Sequence, residues 1–138
     1  QAGIRPALYG GYWERHKHFR PYFRGRASLA DMRQLHAQIP ISVCLVRRAN
    51  RDGHVMRTYE APAMGACLAM EDTAEHRSIF GKDGDTVRYF TDPSSLVDVC
   101  QKLLAAPEER RQLRERCHGL ITQGRNSYTD RLTDMLSG

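Results

Sequence analysis

The stretch DGHVMRTYEAPAMGACLAM, Asp52 to Met70, decides the fold. Val55, Met56, Tyr59 and Ala63 recur at helical spacing, and Gly65 ends that helix before Ala66 to Met70, a short apolar run suited to a buried strand. The spacing predicts a helix that begins near Gly53 and carries Glu60. One carboxylate and a helix N-terminus are thereby set side by side.

Helix and strand signals alternate on both sides of this stretch. Upstream, Pro6 to Tyr9 reads as a strand closed by Gly10-Gly11, Tyr22-Phe23 as a weak second strand, and Ser28 as the cap of a helix with Leu29, Met32, Leu35 and Ile39 inward. Asp31 suits the first turn of that helix, and Ile41 to Val46 reads as a buried strand followed by a basic loop through Arg47, Arg48 and Arg51. Downstream, Asp72 and Glu75 suggest a capping pair for a helix ending at Phe80, and Thr86 to Phe90 a further strand. Asp92-Pro93 opens a helix with the stripe Leu96, Val97, Val99, Cys100, Leu103 and Leu104. Pro107 opens another, with Leu113, Cys117, Leu120 and Ile121 inward and Arg110, Arg111, Arg114 and Arg116 on a solvated face; Ser127 caps a last helix through Leu136. The pattern predicts an α/β class: one Rossmann-like domain over 1–138, a parallel sheet of about five strands flanked by helices. The loops after Tyr9, Val46 and Met70 are expected at one edge of the sheet, where ligands of such sheets bind.

Composition narrows the function classes. At 138 residues and 41% hydrophobic content the chain fits one core, and its longest apolar run is far below the roughly 20 residues that span a bilayer. Cys44, Cys67, Cys100 and Cys117 form neither a CxxC pair nor a zinc-ligand cluster, which suits a reducing, cytoplasmic setting and no metal site. Charge is uneven: residues 1–60 hold 11 Lys and Arg against 4 Asp and Glu, a net +7, while the remainder is −2. A basic half suits phosphates, nucleic acid or an anionic surface, and equally suits ordinary solubilising arginine. The opening on Gln1, with a strand signal almost at once, suggests a piece of a longer protein.

Arg57 to Gly65, RTYEAPAMG, resembles the E-A-x-A-x-G segment of group 1 glycosyltransferases with the GT-B fold. The order of elements downstream, through Glu75 to Phe80, the turn at Gly84, Asp92-Pro93-Ser94-Ser95-Leu96 and the helix at Glu108-Glu109-Arg110, is similar to the donor-binding domain of that family. The resemblance implies half of a GT-B architecture, lacking an N-terminal acceptor domain. It also implies transfer of a sugar from a nucleoside-diphosphate sugar to an acceptor that is not defined, with retention of configuration, as a metal-independent enzyme that uses the nucleotide sugar as co-substrate and no other cofactor. Peripheral membrane association is compatible with it, and a nucleic-acid partner is not expected. In that family two acidic residues separated by seven others hold the nucleotide sugar; Glu60 matches the second, which grips ribose hydroxyls. Asp52 stands at the first, a shorter carboxylate than the usual glutamate, followed by Gly53 as in the family.

The same residues admit plainer roles. Asp52 is a good helix N-cap, and that role uses the amide hydrogens of Gly53, His54 and Val55 that a β-phosphate would need. Glu60 can pair with Arg57 at i,i+3, or Arg57 can reach the diphosphate, and His54 can touch the sugar and leaving group or be structural. Gly10 and Gly11 form either a sugar-facing loop or a tight turn, and Arg15 and Lys17 are either the nearest cations for the diphosphate or surface charges. The alternative from another class is a non-catalytic basic module for nucleic acid or an anionic surface. A dehydrogenase-like reading lacks a GxGxxG after the first strand.

Overall fold

A computed structural model describes residues 3–46, 53, 55–124 and 126–137, the Arg131 side chain aside. In chain order it comprises α1 (Leu29–Gln38), β1 (Ser42–Cys44), α2 (Arg57–Ala63), β2 (Leu68–Glu71), α3 (Ala74–Phe80), β3 (Arg88–Phe90), α4 (Pro93–Ala105), α5 (Pro107–Gln123) and α6 (Tyr128–Ser137). Two 3-10 turns, Trp13–Arg15 and Arg20–Tyr22, precede them. The strands are parallel in the order β1-β2-β3, with Ser42 opposite Leu68 and Ala69 opposite Arg88. Helices pack around this sheet, α4 against β3 and β2, and α2 against β1 and α5. This is the α/β, Rossmann-like arrangement expected.

The strand count is a correction: three among the described residues, not five. The two N-terminal segments read as strands form one isolated parallel bridge, Leu8 to Phe23, flanked by Leu8 N–H to the Tyr22 carbonyl and Arg24 N–H to the Leu8 carbonyl, both 2.9 Å, with Gly10 N–H to the Gly25 carbonyl at 3.0 Å beyond it. Gly10 and Gly25 turn to positive φ (106° and 103°) two residues beyond the bridge on each side, so the extended backbone ends before a ladder can grow. The run 41–46 also differs from its reading as a buried strand. β1 is an edge strand with one neighbour, leaving Val43 46% and Leu45 59% exposed. β2 lies between the other two, and Leu68, Ala69 and Met70 are at most 1% exposed, which accounts for their unbroken apolar run.

Most helix starts follow the capping chemistry. Ser28 with Asp31 and Asp92 with Ser95 form complete capping boxes, and the Ser127 hydroxyl accepts the Asp130 N–H at 3.1 Å. At α3 the cap is Thr73, whose hydroxyl accepts the His76 N–H at 3.0 Å. Asp72 and Glu75 do not form the expected capping pair, because the Arg77 guanidinium holds both Asp72 oxygens at 2.6 Å. On α5, Leu113, Cys117 and Ile121 are buried, while Leu120, and Leu104 on α4, are about two-fifths exposed at 39% and 42%. The α5 arginines are not all solvated as expected. Arg111 pairs with Glu108 and Glu115 on the surface, but Arg110 reaches the Leu103 and Leu104 carbonyls and Arg114 the Ile39 and Pro40 carbonyls, tying α5 to the ends of α4 and α1.

Asp31, Asp72, Asp92 and Glu108 are held below the usual carboxylate range, chiefly by hydrogen bonds from Ser28, Arg77, Ser95 and Arg111 respectively. A lowered folded-state value means that their stabilisation is complete above the unfolded carboxylate range, about pH 4, and is lost as pH falls through the lower folded values. All four lie near solvent, so the loss is small and salt-sensitive. Burial, with the nearby Arg114 charge, also holds the His36 imidazole below its ordinary value, so melting temperature is expected to decline gently as pH falls through about 6.5 and more steeply below about pH 4. A melting temperature that rises on acidification below that point contradicts this assignment.

Candidate functional site

Parallel strands bring the carboxyl ends of β1, β2 and β3 to one edge, and both α2 and α3 begin there. The first turn of α2 carries Arg57, Thr58 and Glu60. Thr58 is fully buried, whereas Arg57 and Glu60 on either side of it are exposed. The i,i+3 ion pair between Arg57 and Glu60 does not form, and among the described residues neither side chain makes a hydrogen bond or ion pair. The helix thus presents an unengaged carboxylate and an unengaged guanidinium to solvent at the ligand edge of the sheet.

Beneath them lies a polar network. The Thr58 hydroxyl accepts the Val55 N–H at 3.2 Å and lies 3.5 Å from His76 Nε2, and His76 Nδ1 lies 2.6 Å from the Glu71 carbonyl. Glu71 Oε2 in turn accepts the Val46 N–H at 3.1 Å, binding the loop after β1 to the end of β2. Cys44 Sγ stands 3.9 Å from the same Thr58 hydroxyl. Burial pushes the Cys44 thiol up; the Thr58 hydrogen bond and the Arg57 charge oppose that rise, and the Glu71 charge adds to it. The other three cysteines are buried and free too, with Cys117 raised to about 12 by the same desolvation, so none is a reactive nucleophile.

Two features of the sequence reading change at the loop. The helix expected from Gly53 starts at Arg57, because Thr58 takes the Val55 N–H and the Thr73 hydroxyl donates to the Gly53 carbonyl at 2.6 Å. The Val55 amide is therefore not open to a phosphate. Gly53 does permit a close approach, but by a protein group: a Cβ placed there would stand 1.8 Å from Glu75 Oε2. An anion reaching Gly53 has to displace that carboxylate. Asp52 and His54, like Arg47, Arg48 and Arg51, lie outside the described residues.

The other candidates sit in the N-terminal segment. Gly10 turns with φ 106°, and the added Cβ of Gly11 would lie 3.9 Å from the Arg26 guanidinium. Arg15 and Lys17 are exposed, the first lying 4.8 Å over the Tyr12 ring. No described hydrogen bond or ring contact joins these four to Arg57 or Glu60. A cavity of about 240 Å³, lined by Gln38, Pro40 and Arg110 among others, lies by the amino end of β1, away from the ligand edge. No group of three or more His, Cys, Asp or Glu side chains that could hold a metal ion gathers among the described residues.

A family described as glycosyl transferase-like matches residues 1–137. The chain belongs to this family. No curated protein matches it closely enough to count as a relative. Within the matched span lies α2, whose Arg57 and Glu60 side chains make no hydrogen bond or ion pair among the described residues. No described helix is long and apolar enough to cross a membrane.

Thr58, Thr73 and His76 are the polar residues here that pattern reading did not single out. A signal existed for His76, which shares a helix face with Phe80 four residues on, both buried. Thr73 carried a local signal too, as a threonine three residues before His76 whose hydroxyl caps α3, whereas the contacts of Thr73 with Gly53 and of Thr58 with His76 span the fold.

Proposed function

We propose that the chain is the donor-binding domain of a GT-B glycosyltransferase, in which Glu60 accepts the ribose hydroxyls of a nucleoside-diphosphate sugar and Arg57 faces its diphosphate. The observation that carries this is the pair of oppositely charged side chains one helical turn apart on α2 at the carboxyl edge of the sheet, exposed and without a hydrogen bond or ion pair among the described residues. An ionised carboxylate accepts two hydroxyl protons at once, and a guanidinium fork matches phosphate oxygens. Transfer breaks the bond between the anomeric carbon and the β-phosphate oxygen, so negative charge grows on the departing diphosphate. A cation held there lowers the barrier. Asp52, Gly53 and His54 belong to the loop entering this site in the proposal, with His54 near the sugar and leaving group. Gly10, Gly11, Arg15 and Lys17 supply a second basic, glycine-rich face to the donor. Retention of configuration, independence of a metal and an acceptor domain N-terminal to this one complete the scheme. Peripheral contact with a membrane suits the basic N-terminal half, and a cytoplasmic setting suits the free cysteines.

Titration of the isotope-labelled chain with UDP-sugars and GDP-sugars tests the assignment. Amide signals of residues 55–60 are expected to shift on binding of one of them. Silence there with every nucleotide sugar contradicts the proposal, and binding that survives removal of the Glu60 carboxylate but falls steeply with salt favours a general polyanion surface instead.

A further inference from the structure

We infer that Thr58, seated against the buried His76 ring, is a positioning residue for the donor site: it sets the backbone at Val55 and the first turn that carries Arg57 and Glu60. The inference rests on the donor-binding reading above. His76 is fully buried in α3, the element that follows β2 directly into the ligand edge. Its Nδ1 carries a proton to the Glu71 carbonyl at 2.6 Å, and its Nε2 lies 3.5 Å from the Thr58 hydroxyl. The same Thr58 hydroxyl accepts the Val55 N–H at 3.2 Å, so it joins the residue before α2 to the buried ring on α3.

The same turn of α3 holds the other side of the loop. Thr73 donates its hydroxyl proton to the Gly53 carbonyl at 2.6 Å while accepting the His76 N–H. Residues 53 and 55 are therefore each tied to α3, one through Thr73 and one through Thr58 and His76. A helix of seven residues has little stability of its own, so its starting point is fixed by these bonds and by the packing of Thr58, Ala61 and Pro62. Among the described residues the side chains of Arg57 and Glu60 make no hydrogen bond or ion pair, so their direction follows from the backbone this network sets. A second support surrounds His76: the Tyr89 hydroxyl shares its one proton between the His76 carbonyl at 3.2 Å and the Gly81 carbonyl at 3.1 Å, and the His76 ring meets Phe80 edge-on at 6.4 Å.

Two substitutions in the intact chain separate positioning from packing. Thr58→Val keeps the shape and removes the hydroxyl, while Thr58→Ser keeps the hydroxyl and removes a methyl group. Both lower the melting temperature. Nucleotide-sugar affinity, measured well below either melting transition, is expected to fall about tenfold in Thr58→Val, as loss of one buried hydrogen bond predicts, and to stay near wild type in Thr58→Ser. Amide exchange at Val55 should quicken in Thr58→Val alone. Affinity that is unchanged in both variants, or that falls in both in step with melting temperature, overturns the inference. If the wild-type chain binds no nucleotide sugar, the donor-binding reading fails, and Val55 exchange still decides whether the network sets the loop: equal protection in all three proteins overturns it.

Discussion

Replacing Glu60 with alanine is expected to weaken nucleotide-sugar binding by about a hundredfold, with no loss of stability. Two charge-assisted hydrogen bonds to ribose hydroxyls are at stake, each worth roughly 1.5 to 3 kcal/mol, and each 1.4 kcal/mol is about a factor of ten in affinity. The folded chain loses nothing comparable, because the Glu60 side chain is exposed and forms no hydrogen bond or ion pair among the described residues. Exposed substitutions of that kind usually change stability by less than about 0.5 kcal/mol. Glu60→Gln, which keeps one acceptor oxygen and loses the charge, should fall between the two. Calorimetric titration with the nucleotide sugar, set beside thermal melts of the same proteins, checks both halves. Full affinity in Glu60→Ala removes the ribose role, and a melting temperature that falls with affinity shows the carboxylate to be structural.

The second large effect concerns the support of the site rather than its contacts. Phe80 is the last residue of α3, 1% exposed, in the core cluster with Leu68 and Met70 of β2 and Val87. Truncating such a ring to alanine removes its burial and leaves a cavity that a close-packed interior fills poorly, a cost of about 3 to 5 kcal/mol. Native stabilities run to about 5 to 15 kcal/mol, so this is a large part of the total. Because α3 also carries Thr73 and His76, loosening it should speed amide exchange at Val55 before the whole chain unfolds. Urea denaturation followed by circular dichroism measures the first effect. A change of less than about 1 kcal/mol would mean that Phe80 is not packed as described.

The elements whose signals are local were legible in the sequence. Ser28, Asp92-Pro93 and Ser127 announce helix starts because a capping side chain bonds amides two or three residues away, and all three starts are found where expected. Leu68 to Met70 was legible as a buried strand because a central parallel strand is covered on both faces. What failed depended on which of several competing partners wins, some of them distant in the chain. Whether Ile41 to Val46 is central or at an edge turns on whether another strand pairs with it, and nothing within the segment encodes that. The Asp72 carboxylate was drawn from its capping role by Arg77, and the start of α2 was moved from Gly53 to Arg57 by Thr58 and by Thr73 from another helix. At the site, the spacing of Arg57 and Glu60 was plain in sequence, but their freedom from each other was not: an i,i+3 pair gains only about 0.2 to 0.5 kcal/mol and solvent competes with it on equal terms.

The most direct test of the role of Glu60 is a crystal structure of the intact protein with a bound nucleoside-diphosphate sugar. The expected result is both ribose hydroxyls within about 2.5 to 3.0 Å of the Glu60 carboxylate oxygens, with the diphosphate on the Arg57 side of the same turn. A nucleotide seated elsewhere on the chain, or one bound at this edge with Glu60 still facing open solvent, contradicts it.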